Sequence, residues 1–369
     1  MRLDNVTDMV AGYTMGMKPD GRELLVVCVK ATYDFPNSGE VPRLSKNQLP
    51  LVQADTFTGD PGLSAPLVES DYAYFKPRCD ILLNGAAHAP HRQPVRRVPV
   101  SLQFGSMQKS FVVVGDRFWQ NGLLSLGTTP PRPFITLPIT YDRAFGGVDR
   151  IPADPAKHVA MMENPVGVGF HQHLDSRLID GNPLPNTEAV NQPIKKPNGE
   201  YRPMSFGPIG RGWQPRAALA GTYDQEWLDN VFPFLPADFD EAYFQAAPVD
   251  QQVPYPTGGE PVALMNLTDQ ERFWFPFPKV NAMVWFFRKN GEEAENLAVV
   301  DTVVIEPELK RFSVTCRTAL PLKRNMLEME LVVVGRDPHD LERARSREEP
   351  VFPLIDMDNE DDDEAQEDR

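Results

Sequence analysis

His171 and His173, two residues apart in FHQH, are the residues whose spacing best fits metal chemistry. On an extended backbone, residues i and i+2 share a face. Both imidazoles could then reach one ion and support a metal-dependent hydrolase or modifying enzyme. Such a site needs at least a third ligand, and Asp175 is a candidate by proximity alone. No zinc-type spacing surrounds the pair, so the preferred reading is two polar residues in a loop. His88 and His91 in HAPHRQP have the same weakness. GPIGRG, residues 207–212, has the look of a phosphate loop. Neither Lys-Ser/Thr nor a long helix follows it, as phosphate binding would require. The acidic run from Asp361 to Glu364 lacks the glycine-hinged loop of a calcium site. Cys28, Cys79 and Cys316 are widely spaced and form no CxxC. Cys28 sits in the apolar run LLVVCVK, where a buried and unreactive thiol is expected. HExxH, GxSxG, the P-loop pattern and a GxGxxG after a strand are absent. The expectation is a protein with no catalytic centre, no metal and no cofactor.

Composition narrows the class further. At 369 residues, 41% of them hydrophobic, the chain can bury a sizeable core without disulfides or metal. Its 37 prolines outnumber its 25 glycines. Proline lacks an N–H and breaks helix interiors and central strands, so long helices are not expected. No signal-like N-terminus and no apolar run of membrane-spanning length is present. With an odd number of widely spaced cysteines this points to a reducing cytoplasm. Net charge is −15. Residues 346–369 hold eleven acids against two arginines, and so carry −9 of it. Nucleic-acid binding needs a basic stripe, and neither body nor tail has one.

The elements that must position any site are mostly strands. Residues 24–35, LLVVCVKATYDF, are β-branched and aromatic. CDILLNGAAH reads as a strand running into a turn at Asn84-Gly85. Residues 95–119 read as two strands joined near Gly105, with the period-two alternation of a half-buried sheet in VPVSLQF. PFITLPITYDRAFGG is another strand, ending in a glycine pair. Residues 148–212 are rich in Pro, Gly and Asn. Their spaced anchors, Phe170, Leu174, Leu184, Phe206 and Ile209, suggest a long segment draped over the body. Two short helices follow. Thr222 should cap the first, which Pro233 stops. Asp238 should cap the second, with Glu241 at capping-box spacing. The last third returns to strands, with a hairpin turn at Asn290-Gly291. Beyond about residue 340 an acidic, disordered tail is expected.

These elements predict a mainly β (α+β) fold of two antiparallel β-sandwich-like lobes. The N-terminal lobe would cover about 1–147 and the C-terminal lobe about 256–340. A Pro/Gly-rich segment with two or three short helices, about 148–255, would join them. Residues 1–345 would form one domain and 346–369 the tail. The joining segment holds Trp213, Arg216, Tyr223, Trp227, Phe239 and Tyr243, residue types that dominate protein interfaces. Those six are the candidate partner-binding residues. The competing reading is that they pin the segment to the strands.

The stretch FGPIGRGWQPRAALAGTYDQEWLDNVFPFLPADFDEAYFQAAPVDQQ, residues 206–252, resembles the hallmark of the bacterial family called domain of unknown function 2169. YDRAFGG, ENPVGVGF, FVVVGDRFW and DTVVIEPELKRFSVTCR are similar to other pieces of that family. Together they reach from residue 1 to about 340. Cys316 departs from the pattern, which carries a tryptophan before the arginine. The resemblance implies a cytoplasmic accessory protein of type VI secretion. Its role would be that of an adaptor or chaperone that binds an effector, or the PAAR or VgrG spike-tip protein, and loads it onto the spike. The charge and hydropathy readings above add the expectation of no nucleic-acid partner and no membrane. The alternatives are a metal-dependent enzyme using His171 and His173, or a structural component of the apparatus.

Overall fold

A computed structural model describes residues 1–122 and 125–337. The acidic tail expected beyond residue 340 lies outside them. Three large sheets dominate, and their strands are numbered here in chain order. They are β1 (Arg2–Asn5), β2 (Val10–Met17), β3 (Glu23–Asp34), β4 (Cys79–Leu83), β5 (Arg97–Phe104), β6 (Met107–Val114), β7 (Thr187–Ala189) and β8 (Gln252–Val253). Then come β9 (Pro261–Met265), β10 (Arg272–Pro276), β11 (Met283–Arg288), β12 (Glu293–Leu297), β13 (Val299–Glu306), β14 (Arg311–Pro321) and β15 (Met329–Val334). The six-stranded sheet has the order β8-β4-β13-β14-β3-β2. The five-stranded sheet runs β7-β6-β5-β9-β10, and the four-stranded sheet β1-β15-β11-β12. Pairing within them is antiparallel except between β1 and β15 and between β4 and β13.

The predicted strands are present, and the hairpin turns fall at Gly105 and Gly291, both with positive φ. That backbone region costs a side chain energy and costs glycine almost none. The Asn84-Gly85 turn is instead a corner. The chain leaves β4 there and enters Gly85–His88, a strand that pairs with Thr136–Ile139 in another sheet.

The sheets are not divided between two successive lobes. Each of the three takes strands from both the N-terminal and the C-terminal third. They close on one hydrophobic core, which includes Leu25 and Val27 of β3, Phe111 of β6, Leu264 of β9, Phe286 of β11, Phe312 of β14 and Val332 of β15. Period-two alternation places such residues on one face of each strand. Stacked rings extend the core: Phe35 on Phe273 at 5.0 Å, Phe275 on Phe312 at 5.2 Å and Tyr33 on Phe312 at 5.1 Å. The segment expected to join two lobes contributes β7 and β8 to the sheets themselves. Phe170, Leu184 and Tyr201 of that segment pack with Trp119 and Phe145, whereas Leu174 is exposed.

The outer face of the six-stranded sheet carries charge. Lys30, Lys76 and Arg317 are buried beside Asp71, Asp80 and Asp301. Lys30 Nζ donates to Asp71 at 2.8 Å, Lys76 Nζ to Asp80 at 2.8 Å, and Arg317 pairs with Asp301. Asp80 also accepts from the Ala246 and Ala247 amides and from Gln245 Nε2. Three cations thus balance three anions, and every carboxylate has further donors. A buried charge is tolerated only under those conditions. Burial raises the Asp301 pKa despite the nearby Arg317 and Lys76. Through Asp71 and Asp80 this charged layer ties the loops at 52–76 and 245–247 to the sheet.

Candidate functional site

The 206–252 segment lies on that charged face, and Arg216 is its anchor. Arg216 opens the 3-10 helix Arg216–Ala220 and is 1% exposed. Its guanidinium pairs with both carboxylate oxygens of Glu69, a residue 147 positions away in sequence. It also donates to the Ile209 carbonyl at 2.7 Å and the Tyr243 carbonyl at 2.8 Å, and lies over the Tyr243 ring. Only arginine offers this planar fork of donors. Arg211 beside it donates to Asp55 at 2.8 Å and reaches Glu69 at 3.2 Å. Burial opposes the charge on both Asp55 and Arg211. Their mutual hydrogen bonds outweigh it, lowering the Asp55 pKa and raising that of Arg211. Trp213 is buried edge-on against Tyr141, with ring centroids 5.4 Å apart.

From this mount the chain projects a short α-helix, Gln225–Asn230. Its cap is Asp224, whose carboxylate accepts from the Trp227 amide at 2.9 Å. Thr222, the expected cap, is otherwise engaged: its amide and hydroxyl both donate to Asp238. Asp238 has therefore spent both oxygens, and Asp240 caps the 3-10 helix Glu241–Phe244 in its place. The two helices are stitched together by the residues the sequence nominated as caps.

Rings run outward along this unit. Phe239, Tyr243 and Phe244 pack edge to edge at 5.7–5.9 Å, and Phe244 meets Tyr74 at 4.9 Å. Phe239 and Phe244 pack against Leu24 and Val26 of β3. Further out, Tyr223 meets Trp227 at 4.7 Å and Trp227 meets Phe232 at 5.6 Å. Trp227 Nε1 donates to the Phe234 carbonyl at 2.9 Å. Tyr223 is 53% exposed, Leu228 51%, Phe232 62% and Phe234 43%. These four side chains form an apolar surface of a kind that marks partner sites. Residues 221–241 hold six acids (Asp224, Glu226, Asp229, Asp238, Asp240 and Glu241) and no lysine or arginine.

The six nominated residues thus separate by role. Trp213 and Arg216 are buried mounts. Phe239, Tyr243 and Trp227 are half-buried supports, and Tyr223 alone is fully on the surface. Sequence reasoning missed Leu228, Phe232 and Phe234. The signal was present: VFPFLP puts two phenylalanines around a proline, where no regular element can bury both.

His171 and His173 do come together, on Asp149 rather than Asp175. The His173 amide and Nδ1 each donate to Asp149 Oδ2 at 2.8 Å, and His171 Nδ1 lies 3.9 Å from Oδ1. Asp149 also accepts from the Ile151 amide, while Asp175 caps Ser176–Ile179. Burial lowers the His171 pKa against the pull of Asp149. Among the described residues, no group of three or more His, Cys, Asp or Glu is placed to hold a metal ion. Cys28, Cys79 and Cys316 are buried and unpaired, and burial raises each thiol pKa. Among the described residues no helix is long and apolar enough to cross a membrane.

One family model matches residues 20–317: DUF2169, described as an uncharacterized protein conserved in bacteria. No curated protein and no solved structure matches the chain.

Proposed function

From the premise that this chain belongs to the bacterial DUF2169 family, we propose that it is a non-enzymatic adaptor that grips a partner protein. The observation that carries this reading is the exposed surface of Tyr223, Leu228, Phe232 and Phe234. Aromatic side chains supply large contact area at low entropy cost, and they dominate binding energy where found. Exposing them gains nothing for the fold. The buried Arg216–Glu69 pair and the Phe239–Tyr243–Phe244 root hold the surface rigid, so binding loses little to ordering.

The resemblance to type VI accessory proteins supplies the partner class: a secretion effector, or the PAAR or VgrG spike-tip protein to which it is joined. The chain would hold that partner in the cytoplasm, reversibly, and release it to the spike. The test is affinity purification from the native host of the wild-type chain and of a Leu228→Ser/Phe232→Ser double variant, with the melting temperature of each. The expected result is a single effector or spike-tip protein on the wild type that the variant loses at unchanged melting temperature. Equal recovery by both proteins would overturn the assignment of this surface. An effector that accumulates and loads normally in a host lacking the chain would overturn the adaptor reading.

A further inference from the structure

Among the described residues nothing pairs with the outer edge of β2 in the six-stranded sheet, and sheets rarely leave such an edge unprotected. β2 pairs with β3 through eight consecutive residues without a bulge. Among the described residues, the amides and carbonyls of Val10–Met17 bond to β3 alone. An edge strand with a free row of donors and acceptors is a template for another strand. Proteins blunt such edges with lysine, proline, bulges or cover. The sequence VAGYTMGM has no charged residue and no proline. Other edges of the large sheets are protected. β12 carries Glu293 and Glu295, and β10 is covered where the Gly39 amide donates to the Trp274 carbonyl at 2.7 Å.

The side chains beside this edge are shaped for more than backbone pairing. On the core side, Tyr13 and Met15 lie 39% and 40% exposed, past the point where the facing sheet covers β3. Met15, Gly16 and Met17 line a shallow groove together with Asn325, Met326 and Leu327, and Glu23 at its end is the one charged residue of the lining. Leu327 is 76% exposed. On the opposite side, Leu51 and Tyr72 stand over Gly12, and Tyr74 over Gly16. An added strand would bond to β2 along its length and send alternate side chains into the methionine-lined groove. Methionine suits this, because its flexible thioether fits apolar groups of varied shape.

We propose that β2 receives an extended segment of a partner protein by strand addition, the segment being uncharged and apolar at alternate positions. The proposal does not rest on the aromatic surface, which meets the β2–β3 hairpin only at its turn, where Phe234 lies against Gly21. A second copy of the chain is the poorer occupant. Eight residues span about 27 Å with a strand spacing near 4.8 Å, so two paired edges would bury only a few hundred Å² per chain. A stable association needs about 800 Å² per partner. A single peptide adds groove contacts to its main-chain bonds, the pattern by which sheet edges recognise extended ligands.

The test uses the full chain. Hydrogen exchange over residues 10–17 is read in the free monomer and with peptides selected from a random twelve-residue phage library. Binding is compared in Met15→Lys, Tyr13→Pro and Thr14→Pro. Adjacent residues point their amides to opposite sides of a strand. One of the two proline variants therefore keeps the ladder to β3 and removes an outward donor. The expected result is fast exchange at alternate β2 amides, selected peptides apolar at alternate positions that protect those amides, and binding at least tenfold weaker in Met15→Lys and in the folded proline variant. Slow exchange across all of β2 in the free monomer would show the chain covering its own edge and overturn the proposal. Concentration-dependent dimerisation abolished by Met15→Lys, failure to select any peptide, or binding indifferent to all three variants would overturn it equally.

Discussion

Arg216 and Tyr223 stand seven residues apart in one hallmark segment and are expected to fail differently when truncated. Arg216→Ala leaves the buried Glu69 with Arg211 alone and leaves two carbonyls without donors. Breaking a buried pair from one side costs about 3–5 kcal/mol, which urea unfolding should register directly. Tyr223→Ala removes an exposed ring. It should change stability by about 0.5 kcal/mol at most while weakening partner capture. Lys109 of β6 offers a pH signature. Its ammonium donates to Gln251 at 2.7 Å and Asp250 at 3.1 Å, fixing the end of the hallmark segment to the five-stranded sheet. Burial pushes its pKa down to about 8, against the pull of Asp250. From about pH 8 to the free-lysine value near 10.4, the unfolded chain then binds more protons at this site than the folded one. Stability contributed by Lys109 therefore rises with pH across that window and is lowest below it. The difference in unfolding free energy between the wild type and Lys109→Met, measured from pH 7 to 10.5, should shift in the wild type's favour as pH rises.

At the scale of elements, a shift of two residues in two helix caps decides how the hallmark unit is built. Asp224 and Asp240 cap, while Thr222 and Asp238 bond to each other. A carboxylate is a stronger acceptor at a helix start than a hydroxyl, because charge and the helix-end donors add. Asp224→Ala should cost about 1 kcal/mol, confined to the outer unit. Hydrogen exchange should accelerate over residues 225–231, and the core strands β3 and β14 should keep their protection. The same unit explains the charged face below it. Asp80 reaches the Ala246 and Ala247 amides only because the segment returns to the sheet there, so the loop and the buried ions specify one another.

Across the whole molecule, charge is the property that acts beyond contact distance. Residues 221–241, which carry the aromatic surface, hold six acids and no lysine or arginine, and residues 346–369 carry a further −9. A basic partner would be drawn toward such a protein, since long-range fields raise association rates and fade with salt. Deleting residues 346–369 should slow association in stopped-flow measurements at low ionic strength and flatten its salt dependence, with dissociation unchanged. Equal rates for both forms at low salt would remove the tail from the account. The interleaving of chain ends matters here too. β1 pairs in parallel with β15, and β13 with β4, so neither half of the chain can complete a large sheet alone. Folding should be one cooperative transition in which the two thirds expected to be separate lobes melt together.

Apart from β1, β2, β7, β8 and β9, the sequence by itself determined the strands of the large sheets, the hairpin turns at Gly105 and Gly291 and the buried thiol of Cys28. Those follow from period-two alternation, glycine at positive φ and residue type, all of which act within about ten residues. It could not assign strands to sheets. VVVG in β6 and VVVG in β15 read alike, yet they belong to different sheets. Nor could it separate the buried Arg216 from the exposed Tyr223, because interface residues and core residues are drawn from the same aromatic and arginine types. Only tertiary structure decided these things, by bringing Glu69 to Arg216 across 147 residues and by leaving nothing over Phe232 and the outer edge of β2 among the described residues.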